Sequence, residues 1–227
     1  MQLEIETLDL LETLDVLDAL DNLDILENLE KVKPMKKENP IPARQLETVL
    51  RKQTNWKNLW FYQKTVVLYQ LTYVFTRRFL PAYGDRTVDQ MLQAARSGKQ
   101  NIVEGCAASA TSAKTEMKLL NVAKASLQEL LEDYMDYLRT RGHDQWEEGS
   151  AQWTAMRTLG KEHNDADYFM QLCATRPPET IANMAIILIH QADYLLFRQL
   201  ERLEQDFLKD GGFAEKMSRM RKNHRGF

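Results

Sequence analysis

This sequence predicts an all-α fold, read as an antiparallel up-and-down four-helix bundle with a short helical insert between helices three and four. Three observations carry that reading. From residue 56 onward, apolar residues recur at three- and four-residue spacing over long runs, the period of an amphipathic helix and not of a strand. Glycine (9) and proline (6) are scarce and clustered, so breaks in the helical pattern are few. Those breaks separate four long segments whose first connections are short, which sets neighbouring helices antiparallel.

The elements follow in order. Residues 8–31 read as eight triplets, each opening with leucine followed by Asp or Glu. A three-residue step advances a helix by roughly 300°, so leucine slips around the helix and no apolar stripe survives. Residues 1–33 are therefore an acidic triplet-repeat leader, either an interaction arm or a low-complexity segment without a task of its own. Residues 34–55, with prolines at 34, 40 and 42, read as a linker, and Met35 is a possible alternative start. The bundle occupies 56–213. Its first helix spans about 58–80, with Leu59, Tyr62, Val66, Tyr69, Tyr73 and Leu80 on one seam. A second apolar set (Val67, Leu68, Leu71, Val74, Phe75) covers much of the rest, and a helix apolar on most sides is buried on most sides. Pro81 and Gly84 end it.

Helix two starts near Asp85 or Thr87 and runs to about Gly105, placed as a C-terminal cap, with Val88, Met91, Ala95, Gly98 and Ile102 inward. Helix three, capped by Ser112, carries the seam Leu120, Ala123, Leu127, Leu130, Tyr134 and Tyr137. Residues 143–177 form a more polar insert with one or two short helices. Helix four begins at Pro177–Pro178, where proline suits a first turn, and ends at Gly211–Gly212. Its inward residues include Ile181, Leu188, Ala192, Leu195, Leu196, Leu203 and Phe207. Residues 214–227 are a basic tail.

Chemical motifs are few. "SGKQNIVEG" (97–105) has a Gly-Lys pair, but a phosphate loop needs GxxxxGK[ST] ahead of a helix. Here Gln100 follows Lys99 and the first glycine is missing, so the stretch reads as packing. No histidine follows a glutamate by three residues, which removes the carboxylate–histidine pattern of metal-binding bundles. Cys106 and Cys173 make no CxxC and read as buried or reduced thiols. No catalytic residue, metal or cofactor is expected. "HQAD", with His190 and Asp193 one turn apart, reads as a buried polar network, the hydrolase alternative lacking a nucleophile or phosphate cradle. The apolar run at 184–189 is too short to span a bilayer; no secretory signal is evident, and a cytoplasmic location is expected.

Charge is segregated beneath a net −3. Residues 1–33 carry ten acidic against two basic side chains, and 51–142 carry fourteen basic against eight acidic. Residues 143–213 are acidic again and the tail is basic. A basic surface on the first three helices points to nucleic acid. The candidate contacts are Arg77, Arg78, Arg96, Lys99, Lys114 and Lys118, with the aromatics of helix one available for stacking.

"NIVEG", with Asn101, Ile102, Glu104 and Gly105, resembles a signature of the bacterial four-helix bundle proteins named after 23S rRNA intervening sequences. Ser126, Leu127, Glu129 and Leu130 are similar to the signature of that group's third helix. Residues 55–222, with His190 and Asp193, resemble its four helix bundle suffix domain subset. The resemblance implies a ring-forming homo-oligomer, often a pentamer, with relatives that bind nucleic acid and a reverse transcriptase. The chain departs from it in its acidic balance and its 143–177 insert. The function expected is a non-enzymatic oligomeric adaptor that binds nucleic acid, or a partner handling it, through a basic surface. The alternative is a protein–protein module using the acidic leader or basic tail.

Overall fold

Helix α1, Trp60–Phe79, lacks any acidic residue, and its three sides meet three different environments. In this computed structural model, residues 55–81, 86–211 and 213–225 are described; the leader and nearly all of the linker lie outside them. Among the described residues a 3-10 turn, Trp56–Asn58, precedes α1. The core side of α1 is Phe61, Val67, Leu68, Leu71, Thr72 and Phe75, all buried. The helix ends where Leu80 turns extended ahead of Pro81, as the residue before a proline must.

Helix α2, Arg86–Ala108, and α3, Ala113–Arg141, run antiparallel in close contact. Small residues make that approach possible. A Cβ on Gly98 would meet Leu127 Cδ2 at 3.2 Å, and one on Gly105 would meet the Glu116 carbonyl at 3.4 Å. Ser126 Oγ donates to Ser97 Oγ at 2.9 Å, and Asn101 Nδ2 donates to the Ser97 carbonyl at 2.9 Å. Ser112 caps α3 by accepting from Thr115 N, and Gly142 ends it at φ 69°. Helix α3 meets α1 through the buried Thr72–Tyr134 hydroxyl pair at 3.0 Å and through Phe75, whose ring stands edge-on to Tyr134 and Tyr137.

The insert folds into α4, Ala151–Glu162, and α5, Ala166–Cys173. Helix α6, Pro178–Asp210, then passes through the core with every residue from 181 to 189 buried. By length and composition alone α6 is apolar enough to cross a membrane, but most of that surface packs inside the protein. Gly211, at φ 74°, ends α6 and α7 follows, Phe213–Arg225.

Four polar side chains tie the insert down. Lys64 of α1 is 2% exposed and donates to the Gly160 carbonyl in the last turn of α4. Gln191 of α6 donates to the Arg157 carbonyl of the same turn at 2.8 Å. Arg78 of α1 donates to the Cys173 carbonyl at the end of α5 at 2.9 Å. Asn183 of α6 accepts from Trp146 N at 2.8 Å and donates to the Asp144 carbonyl at 3.0 Å. Two helix C-termini thus receive cations from α1, where the terminal carbonyls lack intrahelical partners and the helix dipole is negative. Met156, Phe169 and Cys173 of the insert join the common core.

Three expectations are corrected. The simple four-helix up-and-down bundle gives way to an all-α domain of seven α-helices among the described residues, because the insert supplies two core-packed helices and the basic tail is itself helical. Most of the seam assigned to helix one is not its core side: Leu59, Tyr62, Val66 and Tyr69 are only half-buried and Tyr73 is exposed, Leu80 being buried, while Val67, Leu68, Leu71 and Phe75 of the second set carry the core. Gly105 lies inside α2 at its close approach to α3, and the helix continues to Ala108.

Burial lowers the Lys64 pKa from 10.5 to about 8. Below pH 8 the ammonium is charged in both folded and unfolded chains, and the cost of burying it is paid in full. Between pH 8 and 10.5 the unfolded chain holds a proton that the folded one does not, so stability contributed here rises with pH. The buried Cys106 and Cys173 thiols, pushed up to about 11, act in the opposite sense but are common to wild type and variant. Urea unfolding of wild type and Lys64→Met is therefore expected to show a stability difference that shifts in favour of wild type by about 3 kcal/mol from pH 7.5 to 10.5. A difference independent of pH would contradict this account.

Candidate functional site

The solvent-facing flank of α1 that borders α2 carries the most distinctive surface. Tyr62, Val66, Tyr69 and Tyr73 recur at helical spacing along it. Tyr73 is 48% exposed. Lys99 of α2 sets its Nζ over the Tyr69 ring at 4.3 Å from the centroid, and Arg77 sets its guanidinium over the Tyr73 ring at 5.5 Å. A cation over a ring face gains from the ring quadrupole while its stem covers apolar surface. Helix α2 adds the exposed Arg96 one turn before Lys99.

The six candidate cations do not form one patch. Lys99 and Arg77 lie on the α1–α2 flank, and Arg96 faces outward from α2. Arg78 points the other way, holding the Cys173 carbonyl and lying over Phe79 at 4.7 Å. Lys114 and Lys118 are exposed on the first turns of α3, opposite its Leu120–Leu127 core side and away from the α1 stripe. Farther along α3 the surface becomes acidic. Asp133 is pushed up to about 6 by burial and by the neighbouring Asp136 and Glu129, so the basic surface does not continue there.

The remaining motif residues are explained by packing. Asn101 bonds Ser97, and Gly105 permits the α2–α3 approach; Glu104 is exposed. His190 and Asp193 are not the buried pair expected: His190 is exposed, and Asp193 meets Lys124 of α3 at 3.1 Å. Lys124 also lies over Phe197, 5.4 Å from its centroid. An open groove of about 600 Å³ between α2 and α3 is lined by residues of both signs, among them Arg86, Asp89, Ser126 and Glu129. No group of three His, Cys, Asp or Glu placed to hold a metal occurs among the described residues.

No family model matches this chain, and neither does any curated protein or solved structure. The assignment to the four helix bundle proteins of the intervening-sequence type is corrected on that finding and on the helix count.

Sequence reasoning missed Tyr69 and Tyr73 as surface residues, although it singled out the aromatics of helix one. The signal was present: α1 has two apolar sets, and the one interleaved with threonine and Lys64 looks less apolar on paper. Thr65, Thr72 and Thr76 are nonetheless buried. Thr65 and Thr76 hydrogen-bond backbone carbonyls one turn back, and Thr72 pairs with Tyr134.

The opposite roles of adjacent arginines are measurable. Arg78→Ala removes a charged donor from a helix-end carbonyl and is expected to cost about 1.5–3 kcal/mol in urea unfolding. Arg77→Ala, at an exposed position, is expected to stay within about 0.5 kcal/mol. Equal losses would contradict the assignment of Arg78 to the fold.

Proposed function

We propose that this chain is a non-enzymatic interaction module that engages nucleic acid through the α1–α2 flank. The observation that carries the reading is the pairing of Lys99 with Tyr69 and Arg77 with Tyr73 on a helix without acidic residues. Cations draw phosphate, and aromatic faces beside them offer stacking, which together form the common platform for nucleic acid. Asp89 and Glu104 lie near the two ends of α2 and leave its middle, Arg96 and Lys99, basic. Arg78 is excluded from this surface by its contact with Cys173, and Lys114 and Lys118 belong to a separate face.

A second reading, a protein–protein module or homo-oligomer, draws on α6. Tyr194 and Phe197 are 53% and 46% exposed on its outer side, where no core demand explains them. An apolar contact of that kind persists in salt, whereas phosphate binding weakens steeply.

Fluorescence anisotropy of the purified chain with labelled RNA and DNA oligonucleotides, at graded salt, separates the two. The expected result is binding whose logarithm falls linearly with the logarithm of salt, with the slope reduced by roughly two in the Arg96→Glu, Lys99→Glu double variant. Low-salt affinity should drop at least about tenfold in that variant. Unchanged affinity would remove this surface from the function.

A further inference from the structure

We infer that the α1–α2 flank takes single-stranded nucleic acid in preference to duplex, with a base stacked on the exposed Tyr73 ring beside the half-buried Tyr69. This rests on the nucleic-acid reading above and adds the ligand class.

The inference follows from the shape and spacing of the rings. Tyr69 and Tyr73 lie on successive turns of one helix, roughly 6 Å apart along its axis. Bases within a duplex strand repeat every 3.4 Å or so, so their faces are covered by one another and only edges reach the grooves. A ring can contact a base face only where the bases have separated, as in an extended single strand. Each tyrosine also carries a cation on one side, Lys99 over Tyr69 and Arg77 over Tyr73. That arrangement places positive charge within one side chain of each ring, as a strand alternating base and phosphate requires.

Charge complementarity names the occupant. Helix α1 presents no carboxylate along its entire length, and Arg96 extends the positive flank on α2. Strong sequence preference is not expected, because Lys99 and Arg77 are engaged with rings and a ring stacked on a base face reads no base edge.

The experiment uses the full chain with a fluorescein-labelled fifteen-nucleotide thymidine strand, the corresponding RNA, and a fifteen-base-pair duplex, each at low and moderate salt. The expected result is at least tenfold tighter binding of the single strands than of the duplex. Tyr73→Leu, which keeps apolar bulk but removes the ring, should weaken single-strand binding several-fold and leave duplex binding unchanged. Tyr73→Phe should retain single-strand affinity. Tyr73 is half exposed, and matched circular dichroism and urea midpoints for the variants establish that each folds. Equal affinity for strand and duplex, or equal loss in the leucine and phenylalanine variants, would overturn the single-strand inference while leaving charge-driven binding intact. No binding of any oligonucleotide at low salt would overturn the nucleic-acid reading itself.

Discussion

Helix α1 carries more apolar and aromatic surface than one core side can cover, and the division of that surface governs the rest of the structure. One side enters the core beside α2, α3 and α6. A second meets the insert, where Lys64 and Arg78 hold the carbonyl ends of α4 and α5. The third, Tyr62 to Tyr73, remains at the surface beside the cations of α2. Had the insert been a peripheral loop, the second side would have required another chain to cover it.

Burying Lys64 is expensive, and its location shows why it is tolerated. A lone ammonium in an apolar interior loses its hydration without return. At the end of α4 it meets a carbonyl that no residue of the helix can satisfy, within the negative end of the helix dipole. Gln191 of α6 donates to the Arg157 carbonyl nearby. Its amide lies so close to Gly160 that any larger residue there would displace it. Docking the insert is therefore a polar task carried out inside an apolar framework.

Much of the architecture was legible in the chain. The seam of the third helix, from Leu120 to Tyr137, is buried throughout, and Ser112 caps that helix as capping chemistry leads one to expect. What misled was residue type on α1. Tyrosine and valine count as core in a periodicity argument, whereas threonine and lysine do not. Yet Thr72 is buried because Tyr134 offers its hydroxyl, and Lys64 because a distant helix ends beside it. Those partners lie 62 and 96 residues away, beyond the reach of local pattern. The same remoteness hid the role of Arg78 and the pairing of Asp193 with Lys124, whose partners lie 95 and 69 residues away. The pattern of residues 143–177 likewise predicts one or two short helices but not that both enter the core, since helices of 12 and 8 residues leave a weak periodic signal and acquire stability mainly from packing.

The central claim is that α4 and α5 are structural parts of the core, held through their carbonyl ends by α1 and α6. Native-state amide hydrogen exchange tests it most directly, because it assigns an opening free energy to each helix. The account predicts that the slowest amides of α4 and α5 open together with those of α1, and that Lys64→Met and Arg78→Ala lower protection in the insert first. Fast, independent exchange of α4 and α5 in the wild-type protein, with α1 still protected, would contradict it.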